Sequence, residues 1–320
     1  MRSYYLLIIL SLLCFSCQSD KEHRQETIKA INVDFKLIRF DSIFMSTRPQ
    51  NLLKLKTEYP QFFPENTPDS LWINKRQDSL MQIIYKEVKQ KYPTTDSLKN
   101  QLEKLFKHYR YYFPQVEIPD VYTVAEYVDY RHKIVKKGDN LVISLDNYLG
   151  KDHRFYSGFE DYIANLQTRD QLLPDVVNTL SDGIIFTKKD RSFVAQMINY
   201  GKTLYLKDKL IPFVKEHHRL GYREGQFKWA KSNEKQIWRY FIENELIFST
   251  EKSLLNRFLF NAPFSKFYLK FDKDSPPRLG RFIGREIIKS YADKHPDKSL
   301  KDIMLMPAEK IYKASNYKPD

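Results

Sequence analysis

The 320-residue chain carries 53 Lys and Arg against 40 Asp and Glu, a net charge of +13, with 42% hydrophobic and 15% aromatic residues. That apolar content excludes wholesale disorder, and only two cysteines, Cys14 and Cys17, exclude a disulfide framework, so stability must come from a buried core. Nine glycines, few against the usual ~7%, leave little material for φ > 0 turns, so helices should dominate and tight hairpins should be scarce.

The chain opens MRSYYLLIILSLLCFSC. Arg2 precedes a short apolar run from Leu6 to Leu13, below the roughly 20 residues that a spanning helix needs, and the small Ser16 stands directly before Cys17. Residues 1–16 read as a secretory signal, and the cysteine at the processing point resembles a bacterial lipobox. There the Cys17 thiol takes a diacylglycerol, the one covalent group expected and no other cofactor. Cys14 stands where leucine is commoner, and the alternative is an ordinary signal peptide with an incidental cysteine. The positive charge is mostly Lys, spread along the chain and interleaved with acids, with no nucleic-acid motif. An exported, lipid-anchored chain uses such diffuse charge against an anionic lipid or polysaccharide surface, or simply for solubility.

Gln18 to Glu26 is wholly polar, so residues 17–30 read as a lipidated cysteine and flexible tether, with one domain over 31–320. Ile31, Val33, Phe35 and Leu37 alternate with polar residues, the period of a half-buried strand. Asp69-Ser70, Asp78-Ser79 and Asp96-Ser97 open helices; Pro93 and Pro114 follow the ends of the last two. The aromatic stretches Tyr59 to Phe63 and Tyr109 to Phe113 read as core, with a docking surface as the alternative. VYTVAEYV and NLVISLD are β-branched and aromatic, candidate central strands with KKGDN as turn material. Helix returns over Arg169 to Phe186, Arg191 to Leu210, Arg223 to Phe248, Pro276 to Tyr291 and, as short turns, Leu300 to Ala314. The fold class is therefore α+β, predominantly helical with a small central sheet.

Candidate chemistry is sparse. No His pair stands at the i, i+4 spacing of H-E-x-x-H, and adjacent His217 and His218 point about 100° apart on a helix, so neither a metal site nor a catalytic residue is assigned. Asp146, Asp152 and His153 lie in a polar loop after the second strand. They read either as a helix cap beside a surface histidine or as an ion or acid/base site. Asp272-x-Asp274 lacks the Gly and Glu of a calcium loop. Gly280-x-x-x-Gly284, beside Arg278, Arg281 and Arg285, reads as a close helix crossing in the core rather than a membrane dimer motif. Four Asp-Ser-aliphatic triplets, at Asp41, Asp69, Asp78 and Asp96, suit helix N-caps and also resemble the O-glycosylation acceptor of exported Bacteroidetes proteins.

The blocks YPQFFPENTPDSLW, HYRYYFPQVEIPDVYT, NLVISLDNYLGKDHRFY, KQIWRYFIENELIFST and NAPFSKFYLKFDKDSPPRLGRFIGREIIKSY resemble the gliding motility lipoprotein family GldB of Bacteroidetes, from about Val33 to the C-terminus. The resemblance implies a cell-envelope component needed for gliding, with protein partners in the gliding apparatus and a link to type IX secretion. It implies lipid anchoring at Cys17 in the outer membrane, facing the periplasm. A more distant similarity to predicted zinc metallopeptidases implies a zincin-like scaffold, in which the H-E-x-x-H helix falls on Leu172 to Asp182 and the third ligand on the helix around Tyr200. Here the first reads LLPDVVNTLSD and Tyr200 stands at the carboxylate position, so the resemblance implies a scaffold with its ligands replaced, and no enzyme is expected. The alternatives are a hydrolase using Asp146, Asp152 and His153 as atypical ligands, and a glycan bound in the old cleft.

Overall fold

The computed structural model describes residues 22–187 and 190–319; the signal segment and Cys17 lie outside the described residues. Residues 22–30 form a helix (α1) in which Ile28 is buried, and Lys107 Nζ donates to the Lys29 carbonyl. The later part of the expected tether is thus helix lying on the domain. Its single buried apolar residue comes after the polar run that suggested the tether.

Four strands form one mixed sheet: β1 Leu37–Ile38, β2 Asp120–Val124, β3 Ile134–Lys137 and β4 Asn140–Ser144, in the order β1-β2-β4-β3. β2 and β4 are the central parallel pair, with Val121 opposite Leu141 and Thr123 opposite Ile143. Their buried side chains are what the β-branched runs advertised. β3 pairs antiparallel to β4, so the first two lysines of KKGDN are strand and Gly138, at φ 56°, makes the turn with Asp139. The alternation from Ile31 becomes strand only at Leu37 and Ile38. Phe35 instead sets its ring edge-on to Phe106 at 4.9 Å, and that packing draws the preceding chain away from the sheet.

One face of the sheet is covered by α2 Phe40–Ser46, α3 Leu52–Glu58 and α4 Asp69–Gln77. Here Phe40, Phe44 and Phe63 pack with Tyr122 and Val124 in a small aromatic core, Phe40 stacking on Phe62 at 4.0 Å. The Tyr59 to Phe63 aromatics therefore serve as packing, and Tyr109 and Phe113 are buried likewise. α5 Ser79–Lys91 and α6 Asp96–Tyr112 end before Pro93 and Pro114 as expected. Asp78 caps α5, accepting from Met81 N at 2.7 Å, whereas Asp41 is buried and paired with Arg39 at 2.6 Å, so the shared Asp-Ser pattern has two different uses.

The rest is helical: α7 Asp161–Ala164, α8 Arg169–Ser181, α9 Phe193–Leu210, α10 Glu216–Leu220, α11 Glu224–Ser232, α12 Glu234–Glu243, α13 Ser253–Phe258, α14 Leu279–Lys294, α15 Leu300–Leu305 and α16 Ala308–Ser315. The single helix expected over Arg223 to Phe248 is two. Asn233 turns its amide back onto the Trp229 carbonyl at 2.8 Å, the competition with backbone pairing for which Asn is known, and the chain bends there. Likewise α8 stops at Ser181, ahead of Gly183 at φ 82°, short of Phe186. α14 starts two residues after Pro277, because Arg278 adopts the left-handed region at φ 60°. α9 is buried on nearly every side rather than amphipathic, lying between α8, α14 and α16. The architecture is α+β and predominantly helical, with the small sheet at one side of the α9–α14 core.

A cation-lined cleft beside the central helices

The residues first marked as a candidate site do not converge. Asp146 and Asn147 lie in a 3₁₀ turn after β4 and are fully buried. Asp146 Oδ2 accepts from the backbone N–H of Glu126 and Val128, at 3.1 and 2.6 Å, and holds a turn in which Tyr127 and Val128 both have positive φ. Burial, opposed by those hydrogen bonds, pushes its carboxyl up to about 6. Asp152 is exposed and pairs with its neighbour Lys151, while His153 faces Glu87 at 3.5 Å and accepts from Phe155 N. They form a structural carboxyl, a surface pair and a cap. Asp272 is also structural, taking the N–H groups of Phe267, Tyr268 and Leu269.

What the fold does bring together is a cleft bounded by α8, α9, the α10–α11 turn and the start of α14. Three adjoining hollows of about 900, 270 and 390 Å³ share walls at Leu166 and Arg278, and the two smaller ones also share Asp175 and Arg281. Tyr200 lines the 270 Å³ hollow, so the position that the peptidase resemblance marked does face this cleft.

Its floor is basic. Lys207 on α9 is only 6% exposed, and its ammonium has neither a hydrogen bond nor an ion pair among the described residues. Burial pulls it down to about 7, with Asp175 opposing and Arg278 and Arg281 adding to the fall. Arg278 donates Nη2 to the Gly221 carbonyl at 2.6 Å and lies 5.6 Å from the Tyr222 ring centre. Arg281 donates Nε to the Leu259 carbonyl and stacks over Tyr200 at 4.5 Å. Burial lowers both guanidinium pKa values, and for Arg281 the Arg278 charge adds to it, bringing Arg281 to about 10. The carboxylate that acts most on Lys207 is Asp175, ahead of Asp208, and Asp175 is already engaged by Lys133 at 3.1 Å, Tyr148 at 3.1 Å and Asn178 at 3.2 Å.

A metal implied by the peptidase resemblance does not fit these residues. The cleft side of α8 and its C-cap offer Asp175, Asn178, Ser181 and Asp182, α9 offers Tyr200, and the Arg281 guanidinium covers that phenol. A divalent cation set among Lys207, Arg278 and Arg281 would be repelled, and among the described residues no group of three or more His, Cys, Asp or Glu is placed to hold one. His217 and His218 on α10 have ring centres 4.0 Å apart, tilted at 46°, and His218 reaches Asp170 at 3.4 Å.

Besides Tyr200, the sequence held one trace of this cleft, Arg278-x-x-Arg281. It was read only as an argument against a membrane motif. Lys133, Asp175 and Lys207 come from distant elements and had no local signature.

Fold and cleft together define a helix-rich α+β body with a tyrosine-lined cleft, whose inner 270 Å³ hollow carries Lys207, Arg278 and Arg281. Residues 21–319 match the family described as gliding motility protein GldB, and the chain belongs to that family. No curated protein and no solved structure matches it. The family makes the chain a gliding motility component of the cell envelope, and none of the described helices is long and apolar enough to cross a membrane.

Proposed function

We propose that the chain is a non-catalytic lipoprotein of the gliding apparatus, anchored through diacylglycerol on Cys17 in the outer membrane and facing the periplasm. There it binds or supports protein partners of the machinery and of the associated type IX secretion system. Its scaffold is that of a metallopeptidase whose ligand positions have been replaced. The observation that supports this reading is the occupation of the cleft by Lys207, Arg278 and Arg281 around Tyr200. Cations there work against holding Zn²⁺, and without it no water in the cleft is acidified for hydrolysis.

The test has two parts. Protein purified from membranes in detergent should carry no stoichiometric zinc and should not hydrolyse peptides; stoichiometric zinc overturns the non-catalytic reading in favour of a hydrolase. A Cys17→Ala strain should release the protein from the membrane fraction and lose gliding. A variant that stays fully membrane-bound overturns the anchor.

A further inference from the structure

We propose that the recess between α8, α9 and the start of α14 is a binding site for a phosphate-bearing ligand, its phosphoryl oxygens taken by Lys207, Arg278 and Arg281. The inference is independent of whether the protein has partners or catalysis. It rests on how differently the same two helices treat their other buried cations.

On α9, Lys202 is completely buried and donates to three carbonyls, those of Phe186, Met304 and Met306, at 2.7 to 3.0 Å. On α14, Arg285 is 2% exposed and meets three carboxylates: Asp208 at 2.5 Å, Glu216 at 2.6 Å and Glu286 at 2.7 Å. Both are structural cations with their donors satisfied. Lys207, five residues after Lys202, has no such partners although it too is buried, and it lines a 270 Å³ hollow. Arg278 and Arg281 use one hydrogen bond each, to a carbonyl, and pair with no carboxylate among the described residues. A largely buried ammonium without a partner is costly, and with two half-buried guanidiniums that keep most of their N–H donors unused around the same hollow it asks for an anion.

The anion is phosphate rather than carboxylate on grounds of charge and donor number. Asp175 already brings one carboxylate to the wall but is engaged by Lys133, Tyr148 and Asn178, and the other acid of the lining, Asp182, is exposed to solvent. Three cations remain, matching a dianion with three acceptor oxygens better than a monoanion with two. The two guanidiniums are held against Tyr200 and Tyr222, so their forks are oriented before a ligand arrives. The wider 900 Å³ hollow adjoins at Arg278 and leaves room for whatever carries the phosphate, a soluble ester or a lipid headgroup.

Full-length protein in detergent, titrated by calorimetry with inorganic phosphate, glycerol 3-phosphate and a short-chain soluble phosphatidate, tests this, with acetate as comparison. Saturable phosphate binding should exceed acetate binding. Lys207→Met and Arg281→Gln should each weaken it by about tenfold or more. The surface change Asn178→Asp, which adds negative charge to the lining without touching the core, should weaken it similarly and covers the case in which a core variant fails to fold. Tighter binding of the phosphatidate than of glycerol 3-phosphate points to a headgroup, and the reverse to a soluble ester; either supports the site. No saturable binding in the millimolar range, acetate binding as tightly as phosphate, or phosphate binding untouched by Asn178→Asp and the folded variants would overturn it.

Discussion

Gly201 on α9 and Gly284 on α14 meet backbone to backbone. A Cβ on Gly201 would come within 2.4 Å of the Gly284 carbonyl carbon, and one on Gly284 within 1.8 Å of the Met197 oxygen. Neither helix can back away, because α9 is enclosed by α8 and α16 and α14 by α16 and α12. The crossing therefore fixes where Tyr200, Lys207 and Arg281 stand relative to one another.

From that contact, Gly284→Ala should destabilise the protein by about 3 kcal/mol or more, since the clash is with main chain rather than a side chain that can rotate away. Gly225 near the start of α11 has nothing within 4 Å of the same added atom. Gly225→Ala should be neutral or gain ~0.5 kcal/mol by stiffening the unfolded chain. Urea midpoints of the two variants check this; similar values would mean the crossing can spread.

That crossing was legible in the sequence, and the cleft beside it was not. Gly280-x-x-x-Gly284 among arginines pointed to a close helix approach because glycine spacing on a helix is a local signal. The strands β2 and β4 were legible for the same reason: a fully buried parallel strand writes its environment into consecutive β-branched residues. By contrast, Asp146 looked like a loop residue at a strand end. Only the tertiary cover over that loop, Tyr148 and Tyr156 included, makes it a buried structural carboxyl. Lys207 is the mirror case. A lysine in a helix reads as solvated, and here the packing of α8, α10 and α14 around α9 buries it.

Arg285 should be the least replaceable side chain of α14. Arg285→Met leaves the buried Glu286 and the half-buried Asp208 facing an uncharged stem, at a cost of about 3 kcal/mol, somewhat relieved by Lys289 next to Glu286 and Arg219 next to Asp208. The pH profile should change too. Glu216, paired with Arg285, has its carboxyl below the ordinary 4.5 because the guanidinium's charge and hydrogen bond outweigh burial. A depressed carboxyl stabilises the fold above its unfolded value, and that contribution is lost as pH falls through the folded one. In Arg285→Met the Glu216 part of this acid sensitivity should shrink. An unchanged acid limb in urea titrations would argue that the pair contributes nothing there.

Lys207→Met should do the opposite and stabilise the ligand-free protein, by about 1–3 kcal/mol at neutral pH, because an apolar side chain of similar length removes an unpaired buried charge. The sign follows from linkage. With Lys207 at about 7 in the fold against an ordinary 10.5, its contribution is fully present above 10.5 and is lost as pH falls toward 7. Wild-type stability should thus climb relative to the Met variant across the alkaline range. A variant less stable than wild type at every pH would show that Lys207 has a partner in the free protein.

Asp146 offers the cleanest pH experiment, since its environment is closed. The carboxyl is fully buried, its Oδ1 has no hydrogen-bond partner, and Oδ2 holds the Glu126–Val128 turn. Its position at about 6, against an ordinary 3.8, means the native state holds the proton more tightly than the unfolded chain does. That contribution is complete below 3.8 and is lost as pH rises through 6, so wild type should weaken over this window by up to about 3 kcal/mol from this group alone. Asp146→Asn keeps an oxygen for the two N–H donors and titrates nowhere in the range. Its stability curve should lie flatter than wild type between those two values, with the difference greatest above pH 6. Urea midpoints measured across the window decide it. Parallel curves would mean that the two backbone N–H groups hold the carboxylate ionised and that burial does not prevail.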